Sequence, residues 1–220
     1  MPTVPALRMP VILIDNGHGK DTPGKRSPHA VMELIHSPLY FREYSWTRKC
    51  AQGIVDVLQA MGYTAFLLVK EEDDVALRER VNRVNAYCRR YGTDNVLLVS
   101  VHNNASGKGE AWMPARGWRA YTTKGVTKSD HLAARIYDAA EKTFRKPLKV
   151  GRYSSEEETG RDFEEGLYIL QHTYCAAVLT ENFFQDNAED VLYLNSDEGL
   201  GACIDVHVQG IIDYINQKQR

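Results

Sequence analysis

Short runs of aliphatic and β-branched residues alternate with longer amphipathic stretches along this chain, and that alternation restricts the fold more than any other feature. Val11–Asp15 reads as a buried strand that enters a glycine-rich loop, Asn16–Gly19. From Arg42 to Met61 the apolar positions Ala51, Ile54, Val55 and Leu58 recur at helical spacing. Thr64–Val69 reads as a second strand and Val75–Tyr91 as a second helix. Asn95–His102 is the clearest buried strand, and Trp118–Thr122 is a shorter one. Ser129 is placed to cap a helix that reaches Phe144. Leu167–Leu170 and Ala176–Thr180 read as two further strands. Ser196 is placed to cap a last helix with the stripe Leu200, Ile204, Val208, Ile211, Ile215. Strands alternating with helices predict an α/β fold: a twisted, mostly parallel sheet of about six strands, flanked by helices on both faces. No linker divides the 220 residues, so one domain spanning 1–220 is expected, with its core at about 11–217. In such a sheet the C-terminal ends of the strands are where a site belongs.

Composition removes several function classes. Hydrophobic residues make up 43% and charged residues 25%, which excludes disorder, collagen and coiled coil. The 27 basic and 29 acidic residues leave a net charge of −2, which gives no global footprint for nucleic acid or an anionic membrane. Apolar runs fall far short of the roughly 20 residues a membrane span needs, so no membrane insertion is expected. The four cysteines are scattered, with no CxxC pair, and fit free buried thiols. No secretory signal is visible before Val11. A monomer is expected.

Two histidines stand at predicted strand ends, His18 and His102. Two carboxylates occupy comparable places: Glu43 in the first turn of the long helix, and Glu181 directly after Ala176–Thr180. Strand ends in a doubly wound sheet converge on one edge, so these four side chains are candidates to meet. Two histidines and one carboxylate are a common donor set for a catalytic zinc, and a further carboxylate can act as general base. A rival cluster is His29, Glu33 and His36, which a helix would place on one face between Pro28 and Pro38.

Four motifs then appear in order: IDNGHG over 14–19, Glu43 opening a helix, SVHNNA over 100–105, and VLTENFFQDN over 178–187. Together with Leu77-x-x-Arg80-x-x-x-x-Asn85, they resemble the zinc-dependent N-acetylmuramoyl-L-alanine amidases of the Amidase_3 family, which includes cell-wall hydrolases and phage endolysins. The resemblance covers Val11 to Asn195. It implies His18, Glu43 and His102 as zinc ligands and Glu181 as the catalytic carboxylate. It also implies peptidoglycan as substrate, with cleavage between N-acetylmuramic acid and L-alanine. Two positions depart from the family pattern: Asn16 stands where proline or a small residue is usual, and Phe183 replaces the more frequent glycine. The Ser27–Tyr40 stretch has no counterpart that carries over.

Peptidoglycan stems carry carboxylates, so the cations in loops expected around the site are candidate substrate contacts: Lys25, Arg26, Arg152 and Arg161. Asn103 and Asn104 are placed either to orient the ligand strand or simply to form a turn after it, and Asn104 is a candidate contact. Trp112, Trp118, Tyr121, Tyr153 and Tyr168 are candidates to stack on sugar or to fill the core. Competing readings are a catalytically silent wall-binding module of the same fold and a different zinc peptidase acting on wall peptides. Retention of Glu181 speaks against the first, and the absence of a His-x-x-Glu pair near His18 against the second. A nucleotide-binding sheet is disfavoured, because no GxGxxG or P-loop motif follows the first strand. With no leader visible, either a leader has been removed or the protein is a lysin released through a membrane lesion.

Overall fold

A computed structural model describes residues 9–28, 40–153 and 160–218. Six strands form one sheet: β1 (Val11–Asn16), β2 (Thr64–Leu67), β3 (Val96–Asn104), β4 (Arg119–Thr122), β5 (Phe163–Glu164) and β6 (Ala176–Phe184). Their order is β2-β1-β3-β6-β4-β5. The first four positions in that order are parallel. β4 runs antiparallel to β6, and β5 follows β4 in parallel. The α-helices among the described residues are α1 (Glu43–Ala60), α2 (Leu77–Tyr91), α3 (Lys128–Thr143), α4 (Tyr168–His172), α5 (Ala188–Leu194) and α6 (Asp197–Lys218).

Strand alternation assigns the two faces. Ile12, Ile14, Val99 and Val178 point into one core, where Ile54 and Leu58 of α1, Leu132 and Ile136 of α3, and Ile211 and Ile215 of α6 meet them. Leu13, Leu98 and Leu179 point the other way, against Val81 and Val84 of α2 and Ile169 and Leu170 of α4. Both faces of the central strands are thus buried, which is why they read as continuous apolar runs.

Several expectations change. Thr127, not Ser129, caps α3, because Thr127 and Asp130 form a reciprocal capping box. Ser129 lies inside the helix, and its hydroxyl accepts from Ala177 N. Leu167–Leu170 is no strand: Tyr168–His172 is a short helix, a four-residue apolar run being equally compatible with either element. Phe163–Glu164 forms the two-residue strand β5, which the sequence pattern did not mark. β6 continues past Thr180 to Phe184, so Glu181 lies within a strand and not after one. Ser196 does cap α6, its hydroxyl accepting from Gly199 N. The trio His29, Glu33 and His36 lies outside the described residues. Among the described residues, no helix is long and apolar enough to cross a membrane.

Candidate metal centre and active site

The site is assembled at the C-terminal edge of β1, β3 and β6, with α1 beginning beneath it. β1 hands over to the loop through Gly17, whose N–H donates to Val101 O at 2.9 Å. A side chain at Gly17 would place its Cβ 2.4 Å from the His102 ring, and one at Gly19 would fall 2.0 Å from Asp74 N. Both glycines of the Asn-Gly-His-Gly loop are therefore required by close approach. His18 between them has φ 60°, left-handed and strained for a non-glycine residue. Three side chains hold that turn. Thr47 Oγ1 donates to Gly17 O, Arg48 donates to His18 O at 2.9 Å, and Arg80 donates to Asn16 O at 2.7 Å.

Arg80 does more than close the loop. Its guanidinium bonds Asp15 at 2.6 Å and Asp74 at 2.9 Å, while its Nε donates to Val75 O. Asp15 also accepts from Ser100 Oγ at 2.6 Å, which ties β1 to β3 beneath the site. Asn85, the last residue of the same motif, pins the turn before β6 through His172 O and Tyr174 N.

Glu43 opens α1 with its carboxylate fully buried. Its Oε1 accepts from Asn103 N at 3.0 Å and its Oε2 from the Gln185 amide at 2.9 Å. The same Oε1 lies 3.4 Å from His18 Nε2 and 3.2 Å from His102 Nδ1. The two imidazoles meet edge to face, ring centroids 5.0 Å apart. One donor atom from each of His18, Glu43 and His102 lies within 4.8 Å of the others, a grouping that could hold a metal ion. Burial drives the His18 imidazole down to about 4, only partly opposed by the Glu43 charge, so it stands neutral with a free lone pair at neutral pH. For His102, burial opposes the charged ring, but the Glu43 hydrogen bond and charge outweigh it and raise its pKa. Burial alone would raise Glu43; the His102 contact brings it below the usual carboxylate value.

Glu181 stands opposite His102 in the β3–β6 register. Its Oε2 is buried without a hydrogen-bond partner. Burial, reinforced by the Glu43 charge and opposed by His102, pushes its carboxyl up to about 8. Immediately beyond, β6 carries an extra residue against β3, and Phe183 adopts φ 63°. Phe183 thus keeps the left-handed backbone that a glycine would suit, and its ring is buried against Phe144 and Tyr193.

His18, His102, Glu181 and Lys25 line one cavity of about 340 Å³ together with Val75, Leu77 and Leu167. Of the candidate cations among the described residues, Lys25 lines this cavity. Arg26 lies over the Tyr40 ring at 3.9 Å and donates to Ser27 O. Asn104 turns its side chain to Ala105 N. Arg152 and Arg161 do not ring the site: Arg152 pairs with Glu141, and Arg161 with Asp138 and Glu141, all on α3. Tyr168 lines the cavity, Tyr153 is exposed against Phe163, and Trp118 and Tyr121 are core residues. Trp112 is half-buried against the core. Sequence reading assigns no role to Gln185, Asp15 or Arg80, although all three lie within the motifs singled out there.

The family model described as N-acetylmuramoyl-L-alanine amidase matches residues 12–213, from β1 through most of α6. The chain belongs to that family. An amidase of this kind hydrolyses the amide between N-acetylmuramic acid and L-alanine in peptidoglycan. The chain is 25% identical over 211 residues to the endolysin of Bacillus phage SPP1, covering 96% of this amidase and 68% of the endolysin. It is 26% identical over 245 residues to the N-acetylmuramoyl-L-alanine amidase AmiC of Neisseria meningitidis serogroup B, covering 95% of this chain and 53% of AmiC. The amidase thus spans about half the length of that relative. Among solved structures, the catalytic domain of CwlV from Bacillus (Paenibacillus) polymyxa var. colistinus superposes with a TM-score of 0.72 at 17% identity. That match covers 94% of this amidase and 99% of CwlV. AmiC2 of Nostoc punctiforme gives 0.72 at 19% identity, covering 96% and 98%. At these identities the structural likeness shows a shared fold.

Proposed function

We propose that this amidase is zinc-dependent, with His18, Glu43 and His102 as the protein ligands and Glu181 as the proton carrier. The observation that carries the reading is the buried, unpartnered Oε2 of Glu181, in a cavity also lined by His18 and His102, whose ring nitrogens group with Glu43. Two imidazole nitrogens and one carboxylate oxygen suit zinc, and the neutral state of His18 fits it for the task. When bound there, zinc would supply Lewis acidity, polarising the scissile carbonyl and making water acidic enough to attack near neutral pH.

The chain's own residues do the rest. Asn103 N–H and the Gln185 amide fix the Glu43 carboxylate, so its position does not depend on solvent. Glu181 takes a proton from the attacking water and returns it to the departing nitrogen of L-alanine. A carboxyl raised toward 8 is close to the working pH, where it can both accept and release that proton. Peptidoglycan is the partner this chemistry calls for. Product analysis by mass spectrometry tests the reading. Zinc-loaded protein is expected to free stem peptides with L-alanine at the new amino terminus, and a chelator to stop it until zinc is restored. Intact peptidoglycan after incubation with the zinc-loaded protein would overturn it in favour of a silent wall-binding module.

A further inference from the structure

Beyond Glu181, on the side away from His18, the sheet edge runs into a basic cleft that amide hydrolysis does not use. In the antiparallel β4–β6 pairing, Arg119 is directly opposite Glu181. Opposed residues on antiparallel strands project to the same face with Cβ atoms about 4.5–5.5 Å apart. The Arg119 side chain therefore leaves the sheet beside the base. Its guanidinium lies over Phe163 and Phe184, 5.0 and 5.4 Å from the ring centroids, and its buried Nε has no acceptor.

One position further out, the 149–151 segment runs alongside the start of β4. Trp118 N donates to Lys149 O, and Gly151 N donates to Trp118 O, both at 2.8 Å. A cleft of about 840 Å³ opens here, lined by Arg116, Arg119, Lys146 and Lys149 with Leu148 and Val150. Arg116 is neutralised by Glu189 and Asp190. Among the described residues, no carboxylate pairs with Arg119, Lys146 or Lys149, and both lysines are exposed. Three uncompensated cations in one cleft of a chain with net charge −2 mark a site for an anion. Two strand spacings separate the cleft's outer lane from Glu181, about 10 Å, which an extended peptide covers in roughly three residues.

We propose that this cleft is a subsite for a carboxylate of the peptide stem, held by Arg119, Lys146 and Lys149 about three residues from the scissile amide. The proposal rests on the amidase reading, because wall peptides supply the anion while the sugars at the cleavage site are neutral amides and alcohols. The cations act as substrate-binding groups and take no part in proton transfer.

Calorimetric binding to the zinc-loaded protein tests the subsite independently of cleavage. The probes are a soluble stem peptide with free carboxylates, the same peptide with its carboxylates amidated, and inorganic polyphosphate. Wild type is expected to bind the free acid about tenfold more tightly than the amide at low salt, as charge-assisted contacts require. The Lys146→Ala/Lys149→Ala variant, altered only at exposed positions, is expected to retain at most about a twofold preference, and Arg119→Gln to weaken the free acid selectively. Equal affinity of wild type for the two peptides would overturn the proposal, as would a preference that survives both variants. Tight polyphosphate binding without peptide discrimination would reassign the cleft to a phosphate polymer. Failure of the amidase reading would show separately, as uncleaved wall material from protein that still discriminates between the peptides.

Discussion

His102 and Glu181 face each other across the parallel β3–β6 ladder, and the register slips by one residue just past them. Neighbouring strands are held about 4.8 Å apart by the ladder itself. The spacing between a metal-ligand candidate and the proposed proton carrier is therefore set by the middle of the sheet, while the loops around it are free to vary.

This spacing makes Glu181→Gln an informative substitution. Glutamine keeps the shape but accepts no proton, so zinc content and thermal midpoint are expected to stay near wild type. Release of stem peptide should fall by about 10²–10⁴-fold, the usual contribution of a positioned acid–base group. Near-wild-type turnover would remove Glu181 from proton transfer.

Metal content tests the ligand assignment. His102→Ala is expected to lose stoichiometric zinc in elemental analysis, and full retention would sink the assignment. Gly17→Ala should weaken zinc binding although it removes no ligand, because its Cβ would lie 2.4 Å from the His102 ring and must displace it. The rival cluster provides the control: His29→Ala should keep its ion.

Phe183 allows a stability test in which the usual order of two substitutions reverses. Removing the buried ring costs about 3–5 kcal/mol in either Phe183→Ala or Phe183→Gly. Glycine alone relieves the left-handed backbone at φ 63°, a penalty of about 1–2 kcal/mol for other residues. Urea unfolding should therefore rank the glycine variant above the alanine variant. The opposite order would mean that this backbone stores no strain.

His207 lies buried behind the active strand, its Nε2 accepting from Thr180 Oγ1 at 2.8 Å and its Nδ1 donating to Cys203 O at 2.6 Å. Burial lowers its pKa to about 4. The unfolded histidine titrates near 6.5, so between these values the unfolded state binds a proton that the folded state refuses. Stability must then fall as pH drops through that window. From pH 7 to pH 5 this residue should remove about 2 kcal/mol of wild-type stability, a loss that His207→Gln lacks. Parallel urea curves for the two proteins at both pH values measure the difference. Identical pH slopes would exclude the effect.

Sequence reading recovered what local pattern encodes. Ile12, Leu13, Leu97 and Leu98 sit in apolar runs long enough to identify central strands, and His18, Glu43, His102 and Glu181 sit in motifs that carry a resemblance. Contacts made only by the folded chain were not legible. Gln185 meets Glu43 across 142 positions, and no spacing rule connects them. Arg80 was part of a motif, yet its grip on Asp15 and Asn16 depends on how α2 packs over β1. Arg152 and Arg161 were assigned by loop position, which says nothing about the carboxylates of α3 that lie beneath them. Thr127 and Ser129 are equally good caps as residues, and only Asp130 reaching back decides between them.

β6 is the last strand in the chain, but it occupies the interior of the sheet, between β3 and β4. During vectorial synthesis, β1, β2 and β3 emerge and can pair while Glu181 is still untranslated. β6 must then take its place beside β3, with β4 along its other edge, and with it arrives the one carboxylate assigned to proton transfer. The carboxylate proposed for proton transfer and the Gln185 amide that fixes Glu43 therefore both enter the site with one late strand, and neither is in place until it is.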